Sequence, residues 1–388
     1  MSDSLRADLD RLEPELIAIR RDLHEHPELG FEEERTAGLV ANRLRDLGLE
    51  VRTGVGGTGV LADLAGEATG PTLLVRADMD ALPVQETTGH DFSSRRAGVM
   101  HACGHDAHTA ALIGGATLLV ERRREIAGRV RFVFQPAEEL IRGAPAMIQD
   151  GALEGVDRVL GGHVFSIAPV GAVLGRAQHF LAGCDAFTLT VIGRAGHGGM
   201  PDTSVDPIYA AAQLVTALQS IVARETKPGE RLVVSIGAID AGKAANVVVD
   251  QAVLKGTVRW FDEDQRFRAL ERIEKIAAGV CSALRAEYRF DVDAWTPVTS
   301  NTPPDVDVLR GAVARTGRAE VVDPGPVTAS EDFAYFLQQR PGCFFGVGAG
   351  GPGAAPHHHH AFDIDERAVA LMAEVYARTT LEALAPPG

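Results

Sequence analysis

The chain has 388 residues, 45% of them hydrophobic, with a mean hydropathy of +0.01 and a formal charge of −15. That length exceeds one ordinary core and calls for two domains, or one domain carrying a large insertion. The acidic balance, with no basic stripe, argues against a nucleic-acid partner, and no run reaches the roughly 18 apolar residues that would span a bilayer.

The polar, acidic stretch 1–8 lacks the apolar segment of a leader peptide. Cys103, Cys184, Cys281 and Cys343 are too scattered for a disulfide framework. A cytoplasmic protein is therefore expected. Residues 4–24 and 33–48 carry helical apolar spacing, the second ending at Gly48. His24-Glu25-His26-Pro27 closes the first helix and reads as capping and packing at least as well as catalysis. Residues 73–75 predict a short buried strand running into Asp78-Met79-Asp80.

Next comes Met100-His101-Ala102-Cys103-Gly104-His105-Asp106-Ala107-His108, which packs one thiol and three imidazoles into nine residues. Cys-x-His spacing lets two ligands reach one metal from a single turn. A helix over 106–124 follows, and then a strand over 130–134 that ends at Gln135-Pro136-Ala137-Glu138-Glu139. Adjacent carboxylates at a strand end point apart, so one can ligate while its neighbour serves as a general base. Taken alone, the pair would be a solvated acidic loop. His163 follows Val159-Leu160-Gly161-Gly162 at another strand end, where a ligand and a plain polar loop residue are equally compatible. Strands alternating with helices predict an α/β fold, a mixed sheet flanked by helices. Its metal-capable residues follow strands, where open α/β sheets place their ligands.

Between 183 and 295 the pattern changes to strand 187–192, helix 205–224, strands 232–239 and 247–260, helix 264–286 and strand 288–294. This β-α-β-β-α-β order predicts an inserted ferredoxin-like α+β domain, with 1–182 and 296–388 forming the discontinuous main domain. His197 lies in a Gly-rich loop of the insert. The Gly/Pro-rich stretch 346–356 reads as a loop. His357-His358-His359-His360 is internal, so it is no purification tag, and spacing alone does not choose a ligand among the four. Ala368, Leu371, Met372, Val375, Tyr376 and Thr379 predict a closing amphipathic helix.

The ordered set His26-Pro27-Glu28-Leu29-Gly30-Phe31, Arg76-Ala77-Asp78-Met79-Asp80, His101-Ala102-Cys103-Gly104-His105-Asp106, Gln135-Pro136-Ala137-Glu138-Glu139, Gly162-His163, Ser330-Glu331-Asp332-Phe333 and Phe362-Asp363-Ile364-Asp365-Glu366 resembles the di-metal amidohydrolases. The branch it resembles contains auxin-conjugate hydrolases, hippurate hydrolases and N-acetyl-diaminopimelate deacetylases; the wider family includes aminoacylase and glutamate carboxypeptidase. The resemblance runs from about residue 15 to the C-terminus. It implies a zinc-exopeptidase-like catalytic domain and two divalent metal ions per subunit, manganese or zinc, with cobalt or nickel as alternatives. Cys103 would bridge them, and His105, Glu139, His163 and His358 would be the other ligands. His358 is chosen because the branch places its last ligand four residues before the phenylalanine, here Phe362; His360 stands where the branch has proline, which leaves His357 and His359 as register alternatives.

Asp78 would replace the first ligand of the wider family, with His105 compensating and Asp80 in support. Glu138 would be the general base. The inserted domain would act as lid and dimerisation domain, giving a homodimer or a dimer-based tetramer. From it His197 would stabilise the oxyanion, while Asn246 and Arg259 would bind substrate in the neighbouring subunit's site. The implied activity is hydrolysis of N-acyl-L-amino acids, such as acetyl, benzoyl or aryl-acetyl derivatives, by metal-activated water. A dipeptidase or carboxypeptidase is the rival on the same scaffold. A non-catalytic metal-binding protein is opposed by the presence of both Glu138 and Glu139, and a serine hydrolase by the absence of a Gly-x-Ser-x-Gly elbow.

Overall fold

A computed structural model describes residues 2–386, so Met1, Pro387 and Gly388, the outer ends of the expected main domain, lie outside it. The chain divides into two compact units. Of the described residues, the first comprises 2–180, 299–325 and 331–386, and the second 181–298 with 326–330. The short piece 326–330 therefore packs with the second unit, although the sequence reading assigns it to the main domain.

The first unit is built on an eight-stranded mixed sheet. Across it lie Glu50–Val55, Gly59–Ala65, Ala127–Gln135, Ala68–Asp78, Arg158–Pro169, Gly342–Gly350, Ala172–Leu174 and Glu320–Val322. The four strands from Ala127–Gln135 to Gly342–Gly350 run parallel to one another. Leu73 to Asp78 are buried without alternation, as expected of a central strand covered on both faces. Helices Ser2–Glu25, His105–Val120 and Arg367–Ala383 pack on one another. Nearly every residue of His105–Val120 is buried, so this helix is apolar all round and sits inside the core.

The stretch 346–356, read from sequence as a loop, is a strand up to Gly350. Its glycines mark close packing. A Cβ on Gly346 would lie 2.7 Å from the Phe165 ring, so the aromatic side chains of the neighbouring strand occupy that space. Two strands, Glu50–Val55 and Gly59–Ala65, and the helix Pro303–Ala314 also went unpredicted.

The second unit holds a four-stranded antiparallel sheet in the order Val233–Asp240, Gln251–Trp260, Gly183–Ile192, Glu287–Thr296. Helices Pro207–Ser220 and Glu263–Ala283 complete the split β-α-β-β-α-β arrangement. Burial in Gln251–Trp260 alternates along the strand, with Ala252, Leu254 and Val258 facing a core shared with Leu214, Leu218 and Ile273 of the helices. Asp206 and Asp262 cap the two helices by accepting from Ile208 N (2.9 Å) and Gln265 N (3.1 Å). The expected single strand 247–260 breaks at 249–250 into Val247–Val248 and Gln251–Trp260.

Candidate metal centre

Five chain segments bring donor atoms together near the carboxyl ends of the parallel strands, where side chains can converge without interrupting the sheet. Asp78 ends its strand, and Asp80 lies two residues beyond. Glu138 and Glu139 follow Ala127–Gln135, after a turn in which Ala137 takes φ 50°. His163 lies within Arg158–Pro169. Cys103 precedes the helix that begins at His105. Between them Gly104 takes φ 92°, and a Cβ there would meet Val164 at 2.5 Å, so only glycine makes this turn. His358 N donates to Ala102 O at 2.8 Å, fastening the histidine turn to the Cys103 loop.

Hydrogen bonds decide which imidazole nitrogens are free. His163 donates from Nδ1 to the Val164 carbonyl (2.5 Å), leaving Nε2 as a lone pair 3.3 Å from Cys103 Sγ. His105 Nδ1 faces Asp80 Oδ1 at 3.2 Å, while its buried Nε2 has no hydrogen-bond partner. His108 differs. Its Nδ1 bonds Asp78 Oδ1 (2.6 Å) and its Nε2 accepts from Val164 N (2.8 Å), so no lone pair remains for a cation. His358 Nε2 lies 3.4 Å from Glu139 Oε1.

Donor atoms of Cys103, His105 and His163 lie within 4.8 Å of one another, as do those of Cys103, Glu139 and His358, and those of His105, Glu138 and Glu139. Cys103 thus belongs to two donor triads. This is the arrangement a sulfur shared between two cations requires.

The charges also fit a cationic occupant. Burial, then Glu139, Glu138 and Asp78, push the Cys103 thiol well above its ordinary range. Burial, then Glu331 and Glu139, raise Glu138 well above the usual carboxylate range. Burial alone would lower His105, but Asp78 and Asp80 outweigh it and raise the imidazole to about 10. Burial likewise acts to raise Glu139, and the His358 hydrogen bond and His105 charge reverse it to a net lowering. Crowded acids, a buried orphan Nε2 and mixed S/N/O donors suit divalent metal ions.

Three supports surround this set: Asp80, expected from sequence in a supporting role, and Arg76 and Glu33, to which the sequence assigned none. Asp80 accepts from Glu138 N (3.1 Å) and Glu139 N (3.0 Å) as well as facing His105, so one carboxylate fixes a donor and the adjacent acids. Arg76, fully buried, holds Asp78 (2.7 Å), Glu331 (2.9 Å), Asp332 (2.9 Å) and Gln135 (2.9 Å). Glu33, also buried, accepts from Ala137 N at 2.8 Å and from the Thr58 hydroxyl. The run Glu32-Glu33-Glu34 looks like a solvated helix start, which hides this role. His24 is buried, its ring between Asp106 (2.8 Å) and Glu86 (3.4 Å). His101 is buried with neither ring nitrogen hydrogen-bonded, and burial lowers it to about 4.

In the second unit, Gly196–His197 pairs with Val247–Val248, and Gly198 N donates to Asn246 O (2.8 Å), so His197 and Asn246 are neighbours, both exposed. His197 Nδ1 accepts from Gly199 N at 3.0 Å. Arg259 Nη1 donates to Thr328 O (2.9 Å) and Ser330 Oγ (3.0 Å).

Residues 74–382 match the model of peptidase family M20/M25/M40. The chain is 40% identical over 367 residues to an N-acetyl-L-cysteine deacetylase of Bacillus subtilis, covering 95% of this chain and 88% of that protein. It is also 40% identical over 383 residues to thermostable carboxypeptidase 2 of Saccharolobus solfataricus, covering 97% of each. A solved Bacillus subtilis structure, described as a dinuclear metal binding peptidase from this family, superposes with a TM-score of 0.85 at 36% identity, covering 97% of this chain and 99% of that one.

Proposed function

From the premise that this chain belongs to peptidase family M20/M25/M40, we propose that it is a metal-dependent amidohydrolase cleaving the amide bond of N-acyl-L-amino acids. The observation that carries this reading is Cys103 standing in two donor triads with Glu138 beside them. Cys103, His105, His163, Glu139 and His358 would hold two divalent ions, of which manganese and zinc suit the donors best. Bound there, the ions would polarise the scissile carbonyl and acidify water. Glu138, buried and with raised proton affinity, takes the proton of the attacking water and returns it to the leaving amine, because a base works best with a pKa near the operating pH. Asp80 holds the backbone of Glu138 and Glu139 still while this happens. The second unit serves as lid and dimerisation domain: His197 donates to the developing oxyanion, and Asn246 and Arg259 bind the substrate carboxylate in the partner's site. The protein works in the cytoplasm as a homodimer or a dimer-based tetramer.

Replacing Glu138 with Ala is expected to cut kcat by about a thousandfold or more while metal content by elemental analysis stays unchanged. Full activity in that variant would sink the assignment. A carboxypeptidase is the second reading, favoured by the equal identity to a relative of that name. Assaying acetyl-, benzoyl- and indole-acetyl-amino acids beside dipeptides, with each metal in turn, separates the two. Turnover confined to substrates with a free α-amino group selects the peptidase.

A further inference from the structure

One imidazole beside the candidate centre has no role in the proposed chemistry. His357 Nε2 accepts from Ser166 N at 3.3 Å, and its Nδ1 lies 3.7 Å from Cys103 Sγ. A nitrogen that accepts from a backbone N–H carries no proton of its own, so the neutral ring must carry its proton on Nδ1. That proton faces Cys103, whose Sγ lies 3.7 Å from Nδ1 and whose backbone carbonyl is a second acceptor within its reach. The ring is held in this orientation by His163, Phe165 and Phe362, with centroids 5.2, 5.9 and 4.9 Å away. His163 and Ser166 sit on one strand, so a single element fixes both the donor imidazole and the proton position of its neighbour.

We propose that His357 is a positioning residue that donates an Nδ1–H···S hydrogen bond to the Cys103 thiolate, fixing where the sulfur points and how strongly it donates to both cations. The inference rests on reading Cys103 as a metal ligand. With Nε2 committed to Ser166, His357 is not itself a ligand, which separates it from the adjacent His358. Hydrogen bonds to a ligand atom from groups outside the donor set commonly govern metal affinity.

The test uses cobalt-loaded full-length protein and two substitutions. His357→Phe keeps a ring but no donor, whereas His357→Asn keeps an N–H near the Nδ1 position. His357→Phe is expected to weaken cobalt binding, measured by chelator competition, by roughly 10–100-fold with two ions still bound per chain. Its sulfur-to-cobalt charge-transfer band should move, while His357→Asn retains the band position and most of the affinity. Unchanged affinity and band in His357→Phe, or loss of one whole ion, would overturn the proposal. Nitrogen NMR of the zinc-loaded wild-type protein gives a check that needs no variant: a His357 proton on Nε2 overturns it as well. If the wild-type cobalt protein shows no sulfur-to-cobalt band, the Cys103 reading itself fails, an outcome distinct from the others.

Discussion

Asp80 concentrates more of the site's order than any proposed ligand does. Its two oxygens serve the His105 ring and the backbone N–H groups of Glu138 and Glu139, so its loss frees an imidazole and a catalytic loop together. Replacing Asp80 with Ala leaves two main-chain donors without an acceptor, at about 1–3 kcal/mol for each one that stays buried. It also releases a donor ring, where changes of this kind cost about 10–100-fold in metal affinity. Both losses are expected in one variant, read by urea unfolding and by metal titration. Wild-type affinity in Asp80→Ala would mean the Glu138 loop is held by other groups, chiefly Glu33 at Ala137. The sequence made Cys103, His105 and the Glu138-Glu139 pair legible because metal-capable residue types are rarely grouped for packing alone. Arg76, Glu33 and His357 were not legible in role, since a buried arginine or glutamate is identified only by the partners that long-range folding brings to it.

Helix Ser2–Glu25 is joined to helix His105–Val120 by buried charge. Arg20 and His24 both bond Asp106, at 2.9 and 2.8 Å. Burial works to lower His24, but the hydrogen bonds to Asp106 and Glu86 outweigh it and raise the imidazole to about 9 from 6.5. Glu86, which burial would raise, is brought down to about 2 by His24 and Thr88. The signs follow directly. A raised histidine contributes stability that is complete below about pH 6.5 and is lost as pH climbs through 9. The lowered Glu86 contributes above about pH 4.5, and that is lost as pH falls through 2. The wild-type protein should therefore lose more stability between pH 6.5 and 9 than His24→Gln does, measured by urea unfolding of both metal-loaded proteins. Parallel curves would show that His24 is not charged in the fold. At this scale the sequence captured strongly periodic elements such as 4–24 and 264–286, because one-sided apolar spacing survives any tertiary context. It missed the Gly342–Gly350 strand because close packing against aromatic rings selects glycine, which by composition alone resembles a turn.

Across the whole molecule, every proposed metal ligand belongs to the first unit, whereas His197, Asn246 and Arg259 belong to the second. Metal binding is therefore expected to stabilise the two units unequally. In the first unit Cys103, Glu138 and their neighbours are acids that burial and mutual repulsion already disfavour, so cations relieve a cost built into the fold. Ligand linkage puts the gain at about 2.7 kcal/mol when free metal stands at a hundred times its dissociation constant. The second unit closes its own core around Leu214, Leu254 and Ile273, which shares no proposed ligand. After chelation, hydrogen exchange should quicken in the segments around Asp78, Cys103 and Glu138, while the strand Gln251–Trp260 keeps its protection. Adding manganese or zinc back should restore the first set alone. A uniform change across both units would mean that the cations stabilise the chain as one cooperative body. No change in either would mean that Cys103 and the carboxylates around it hold their places without any cation.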